Sequence, residues 1–308
     1  MTPEKNKLVL GTAQLGMNYG LHNSYGQPTK EEAFSILDRA FAAHINTFDT
    51  AHSYGASEDV IGTWIQDRSL VNKVKLISKM KPDAVNDYPD GTKFTDIVRL
   101  ELDKSLLRLR VETLDGYLFH SPHYIYLDQM IKGLQKVRDA GLVKNIGVSV
   151  YNELEALRAV DLGLNYVQVP YNVFDQRLHR TDFFDVAKKN KVTVFARSPF
   201  LQGLLLMRSS ELPDHLSFFS SHLERFVELA KRHNLTQAEF ALRFVDVVCP
   251  AEYIVFGVDT LEQLNEGVSI METNTSNPND CWIVEARKSF RDLNSGVINP
   301  SLWGKMKQ

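Results

Sequence analysis

The chain has 308 residues, 44% hydrophobic and 24% charged, with a formal net charge of −3. This composition suits a globular protein with a large core, and with no basic run or tail it excludes nucleic acid and membrane surfaces as expected partners. Cys249 and Cys281 are its only cysteines and join no CxxC or Cys/His cluster. Neither a disulfide framework nor a zinc site is therefore expected, and a reducing compartment is.

The segment from Met1 to Lys7 is polar and lacks the apolar stretch of a signal peptide. No apolar run approaches the ~20 residues that span a bilayer. These features predict a cytoplasmic protein. A prior of roughly 150 residues per domain would suggest two domains, but α/β barrels commonly reach about 250 residues or more. A single barrel domain over residues 1–308 is expected.

In chain order, Lys7–Gly11 is the first strand-like run. A Thr29–Glu32 capping box follows, before Ala33, Ile36, Leu37 and Ala40, whose spacing predicts an amphipathic helix. Asn46–Thr50 and Val74–Lys79 read as strands, and Phe94, Val98, Leu102, Leu106 and Leu109 form a second helical stripe. Leu114–His120, Asn145–Val150, Tyr166–Tyr171, Val192–Arg197 and Tyr253–Val258 bring the strand-like runs to eight. Most are continuously apolar, as in a parallel sheet covered on both faces. Eight such units with short connections predict a closed (β/α)8 barrel with extra loops and a C-terminal helical segment over it. A Rossmann domain is disfavoured because no GxGxxG follows any strand. Gly203–Ser220 and Thr273–Gln308 read as irregular segments at the barrel mouth or terminus.

Barrel enzymes place their chemistry at the C-terminal strand ends. There the second run delivers Asp49, the third Lys79 and the fourth His120, with Tyr54 in the loop that leaves the second. Singly, each has an ordinary explanation as a cap, a solvated charge, a satisfied polar group or a packing ring. Together on one rim they match carbonyl reduction. Adding hydride to a carbonyl carbon builds negative charge on oxygen, which must receive a proton. Tyrosine can donate it, and a nearby cation should lower its usual pKa of ~10. A carboxylate offsets a buried lysine, and an imidazole can hold the carbonyl oxygen.

With Phe48-Asp49-Thr50-Ala51-His52-Ser53-Tyr54-Gly55, Ser57-Glu58, Ile77-Ser78-Lys79 and Leu118-Phe119-His120-Ser121-Pro122, the sequence resembles the aldo-keto reductase superfamily. The likeness continues to the segment Gly257 to Glu266 and so covers nearly the whole chain. It implies that Asp49, Tyr54, Lys79 and His120 form a catalytic tetrad, with a small-molecule carbonyl as substrate and no metal. It also implies that Ser149 and Gln168 hold a nicotinamide carboxamide, with Thr12 nearby. Arg197, Ser198, Phe200, Gln202 and Gly203 would line the nicotinamide and pyrophosphate. Gly257, Thr260, Gln263 and Glu266 would meet the adenosine end.

Three positions depart from the family pattern: Val150 and Gly267 each replace an Asn, and Arg197 replaces a stacking aromatic. The family's phosphate-reading Lys and Arg are also replaced, by Gly257 and Gln263, with Asp259 adding a negative charge. NADP(H) is therefore expected to be favoured only modestly, with NAD(H) accepted, unless Arg287 and Lys288 fold back to supply charge. Gly11-Thr12-Ala13-Gln14-Leu15-Gly16 and Arg197-Ser198-Pro199-Phe200-Leu201-Gln202-Gly203 are similar to a bacterial subgroup, some of whose members accompany surface-polysaccharide biosynthesis. A sugar-derived carbonyl is one candidate substrate. Ala13, Tyr54, Tyr124, the 203–220 loop and the C-terminal tail are expected to shape its pocket. Two other readings compete. One is a slow-turnover, cofactor-binding regulatory protein on the same scaffold. The other is a metal-dependent hydrolase using Asp49, His52, His120 and His123, though no HxH or HExxH supports it.

Overall fold

The computed structural model describes residues 6–300, 302 and 303. Eight parallel strands close into a barrel in sequence order: β1 (Leu8–Gly11), β2 (Thr47–Asp49), β3 (Lys75–Met80), β4 (Leu114–Phe119), β5 (Val143–Ser149), β6 (Tyr166–Pro170), β7 (Thr193–Arg197) and β8 (Tyr253–Gly257). β1 pairs with both β2 and β8, so no strand edge is left open. Side-chain alternation explains why the strands are apolar throughout. Leu8 and Leu10 join the large core beneath the helices, whereas Val9 joins a separate cluster with Ile77, Leu118, Phe195, Tyr253 and Val255. That second cluster comes from five strands and fills the barrel interior. At its centre Phe195 stacks on Tyr253, with ring centroids 5.0 Å apart.

The helices are α1 (Ala13–Gly16), α2 (Lys30–Ala42), α3 (Ser57–Asp67), α4 (Phe94–Leu109), α5 (Asp128–Asp139), α6 (Glu153–Asp161), α7 (Phe183–Lys189), α8 (Ser220–Arg232), α9 (Gln237–Val248), α10 (Leu261–Glu272), α11 (Cys281–Phe290) and α12 (Ser295–Ile298). The expected capping box starts α2: Thr29 Oγ1 accepts from the Glu32 amide (3.3 Å), and Glu32 accepts from the Thr29 amide (2.8 Å). Such a cap stabilises a helix by about 0.5–2 kcal/mol.

Of the two stretches that read as irregular, the first is more ordered than expected, and the second carries the expected C-terminal helical segment. Residues 203–220 contain the 3-10 turns Leu204–Leu206, Ser209–Glu211 and Asp214–Phe219. The second stretch holds α11 and α12; its last residues lie outside the described ones. Trp282, Ile283, Ala286 and Phe290 form one buried face of α11. Trp282 packs on Phe240, and Phe290 on Phe174 just past β6, with centroids 4.6 and 5.0 Å apart. Among the described residues, no helix is long and apolar enough to cross a membrane.

Candidate active site

The polar cluster begins with a buried ion pair. Lys79 and Asp49 are 1% and 3% exposed, and Lys79 Nζ donates to Asp49 Oδ2 at 2.6 Å. The same ammonium donates to the Thr50 carbonyl (3.0 Å) and lies 3.5 Å from the Tyr54 hydroxyl. Gln168 Nε2 donates to the other Asp49 oxygen. The Tyr54 turn is held against α1. A Cβ on Gly16 would sit 1.9 Å from the Tyr54 carbonyl, and the Ala56 amide donates to the Gly16 carbonyl at 3.1 Å. Only glycine permits that approach, so the position of Tyr54 depends on residue 16.

Burial pushes the Lys79 pKa down while Asp49 opposes it. Burial pushes the Tyr54 phenol up, and the Asp49 charge adds to this. This corrects the expectation that Lys79 would lower the phenol. Paired with Asp49, the lysine acts as one end of a dipole rather than as a free cation. His120 follows β4 and sets its ring edge-on to Tyr54, with centroids 5.6 Å apart. Its Nδ1 lies 2.9 Å from Ser53 Oγ. Burial, then the charges of Lys79 and Arg197, bring its pKa down to about 3. The imidazole is therefore neutral at working pH.

Asp49, Ser53, Tyr54 and His120 line one end of a cavity of about 420 Å³ that runs to β8 and α10. Thr12, Ser149 and Arg197 lie along it, the Thr12 hydroxyl donating to the Asp49 carbonyl (2.9 Å). Arg197 Nε donates to Ser149 Oγ (3.1 Å) and Nη2 to the Val150 carbonyl (3.0 Å), with the guanidinium 4.9 Å from the Tyr151 ring centroid. Past β7, Ser198, Phe200, Gln202 and Gly203 form the next part of the wall. Ser198, Leu201 and Gln202 have φ of +63°, +49° and +55°, and Gly203 +88°. Three non-glycine residues in the left-handed region cost energy that only the surrounding contacts repay. The Leu21 amide donates to the Gln202 carbonyl at 2.8 Å, bridging the loops after β1 and β7.

Gly257, Gln263 and Glu266 line the far end. The remaining two expected contacts do not face the cavity. Gln168 lies beneath it, bonded to Asp49, and Thr260 caps α10 by accepting from the Gln263 amide (3.3 Å). Tyr124, expected in the pocket wall, is instead buried between Phe119 and His123. In its place stand Tyr19 and His22 from the loop after β1, with Tyr151 after β5. Burial and the neighbouring Tyr54 push the Tyr19 phenol up to about 12. Both loops leave the C-terminal ends of strands, and that position was the available sequence signal for them.

The proposed metal-ligand set does not assemble. His52 Nδ1 faces Arg108 at 2.7 Å, and His123 lies 3.8 Å from Asp83. Among the described residues, no group of three or more His, Cys, Asp or Glu could hold a metal ion. Glu58, from the second-strand signature, is buried, bonded by Arg108 Nε (2.6 Å) and by Ser78 Oγ (2.5 Å). This pair braces α3 and α4 beside the lysine strand.

The residues present fit an extended dinucleotide. The cavity is elongated from the Tyr54 cluster to α10, and Gly257 keeps the far strand end bare: a Cβ there would meet Gln14 at 2.5 Å. Gln168 Oε1 is buried without a hydrogen-bond partner, close to the Asp49 cluster.

Comparison with known proteins places the chain among oxidoreductases. The model of the aldo/keto reductase family matches residues 7–281, and the chain belongs to that family. It is 25% identical to the "uncharacterized oxidoreductase YqkF" of Bacillus subtilis, over 85% of this chain and 90% of that one. It is 26% identical to the aldo-keto reductase str7 of Strobilurus tenacellus, over 84% of this chain and 81% of that one. It is also similar to a D-threo-aldose 1-dehydrogenase of a Pseudomonas species, 27% identical over 76% of this chain and 82% of the relative.

Proposed function

We propose that this protein reduces a small-molecule carbonyl (an aldehyde, a ketone or a sugar-derived carbonyl) to an alcohol, using NAD(P)H. The observation that carries the reading is the buried Lys79–Asp49 pair beside the Tyr54 hydroxyl at the mouth of a long cavity. The bound dinucleotide would supply hydride to the carbonyl carbon. Tyr54 then transfers its phenolic proton to the carbonyl oxygen as negative charge develops there. An alkoxide is more basic than a phenolate, so a phenol with a raised pKa still donates. Lys79 stabilises the phenolate left behind, and Asp49 holds Lys79 in line.

His120 is the orienting donor in this scheme. With Ser53 donating to Nδ1, the neutral ring carries its proton on Nε2 and can hydrogen-bond the carbonyl oxygen. Ser149 and Arg197 would bound the nicotinamide, with Gln168 beneath them on Asp49, and the loop from Ser198 to Gly203 would bound the pyrophosphate. The sequence alone gives NADP(H) a modest lead over NAD(H) as hydride source. In this reading the activity belongs to a single barrel domain. The free cysteines Cys249 and Cys281 suit a reducing cytoplasm.

Single-turnover mixing of the protein with reduced dinucleotide and a panel of aldehydes, ketones and sugar-derived carbonyls tests this. Oxidation of the dinucleotide with stoichiometric alcohol formation supports it. Tight dinucleotide binding without hydride transfer to any of them would favour a regulatory protein instead.

A further inference from the structure

We propose that Asp259 makes this protein select NAD(H) over NADP(H), by presenting a carboxylate where the adenosine ribose would carry its 2′-phosphate. The inference rests on reading the cavity as a nicotinamide dinucleotide site, and it reverses the preference read from the sequence. With the nicotinamide beside Tyr54 at one end, the adenosine falls at the other, against β8 and α10.

The charges at that end are negative. Asp259 and Glu266 both line it, and among the described residues no Lys or Arg lines the cavity except Arg197, which sits at the opposite end on Ser149. Arg287 and Lys288 do not fold back: both are exposed on α11, and the Arg287 charge bears on Tyr171 and His179. Among the described residues, the base whose charge bears on Asp259 is His22. Nor does β8 supply one, since Gly257 carries no side chain there and the Gln14 amide packs beside it.

Asp259 is also held in place. Its amide donates to Gln263 Oε1 at 2.7 Å, and Gln263 Nε2 faces Asp259 Oδ2 at 3.4 Å. Asp259 Oδ1 is buried and has no hydrogen-bond partner among the described residues. Burial raises the pKa of this carboxyl, against the Gln263 hydrogen bond and the His22 charge, which lower it. A carboxylate so poorly compensated tolerates no second anion. A 2′-phosphate would bring about −1.5 to −2 charges into this corner without a cation to meet them. A ribose 2′-hydroxyl brings a donor, and hydrogen bonds to a charged acceptor are the stronger kind. Dinucleotide-binding sheets of other architecture use an acidic residue at the ribose for the same reason.

Fluorescence titration of the intact protein with NADH and NADPH gives the two dissociation constants directly, without any substrate. The expected result is NADH binding at least about 10-fold tighter, with Asp259→Asn closing that gap mainly by tightening NADPH. Gln263→Arg, which adds a cation beside the same carboxylate, should tighten NADPH as well. Wild-type protein that binds NADPH as tightly as NADH or tighter overturns the inference but leaves the dinucleotide site standing. So does an Asp259→Asn protein with an unchanged NADH-to-NADPH ratio. Binding of neither dinucleotide removes the site itself, and the inference with it.

Discussion

Arg197 reaches across β6 to Ser149: its Nε lies 3.1 Å from the Ser149 hydroxyl, so the ends of β7 and β5 are tied by one guanidinium. Its remaining bonds go to the Val150 carbonyl (3.0 Å) and Ser198 Oγ (3.4 Å), and among the described residues no carboxylate is bonded to it. The positive charge therefore stays uncompensated in the cavity wall. Next to a nicotinamide it disfavours the cationic oxidised ring relative to the neutral reduced one. Arg197→Met should lower the ratio of the NAD⁺ to the NADH dissociation constant by roughly 2- to 30-fold, the equivalent of ~0.5–2 kcal/mol. Titration of both redox forms measures it, and a ratio that stays fixed would show that the guanidinium does not sense the ring.

Tyr54→Phe keeps the ring edge-on to His120 and removes only the proton donor. Dinucleotide dissociation constants should stay within about twofold, while kcat for carbonyl reduction falls by at least ~10²–10⁴-fold. Near-normal turnover in this variant would remove Tyr54 from the chemistry.

Lys79→Met should be as damaging to turnover as Tyr54→Phe, with the double variant little worse than either, because the two act as one unit. It should also unfold earlier. Removing one member of a buried pair leaves Asp49 charged and uncompensated, at about 3–5 kcal/mol. In a chain of this size that corresponds to a melting temperature lower by on the order of 10 °C. Adding Asp49→Asn should recover most of the melting temperature and none of the activity. Thermal melts beside kcat separate the two effects, and additive losses of activity would mean that Lys79 and Tyr54 work independently.

The pH profile should differ between directions. Burial and Asp49 keep Tyr54 protonated, and His120, its pKa near 3, does not titrate in the working range. Reduction, which needs the phenol, should be flat from about pH 6 to 9, since neither of these groups ionises between those limits. Alcohol oxidation needs the phenolate, so its kcat/KM should climb across the same range. A reduction profile with a limb near the ordinary histidine pKa of about 6.5 would show that His120 exchanges protons in the free enzyme.

Much of this was legible in the residues. The eight apolar runs announce strands because a parallel sheet buries both faces of each, and Asp49, Lys79 and His120 stand out as polar residues ending such runs. What stayed hidden depends on loop paths. Arg197 reads as a stacking partner, but whether its side chain lies over a ligand or bonds to Ser149 is set by how far apart β5 and β7 close. Tyr124 reads as a pocket residue, yet the turn after His120 carries it inward against Phe119. A C-terminal helical segment was expected, but the bounds of α11 and its stripe of Trp282, Ile283, Ala286 and Phe290 were obscured by the Thr, Asn, Ser and Pro that precede it. Tyr19 and His22 become cavity wall only once the Leu21–Gln202 hydrogen bond draws their loop over the barrel mouth.

That hydrogen bond has a kinetic meaning. A dinucleotide lying along the groove would pass beneath the joined loops after β1 and β7, where Gly203 leaves room for His22: a Cβ at residue 203 would lie 3.0 Å from the His22 Cβ. Spent cofactor could leave only when the two loops part, a motion of the microsecond-to-millisecond kind that often limits turnover. Hydride transfer would then outrun departure of the oxidised dinucleotide. Rapid mixing should show a first wave of alcohol close to one equivalent per enzyme before the slower steady rate begins. Substituting Gly203 with a residue that cannot hold its left-handed turn should shrink that first wave by letting the product go.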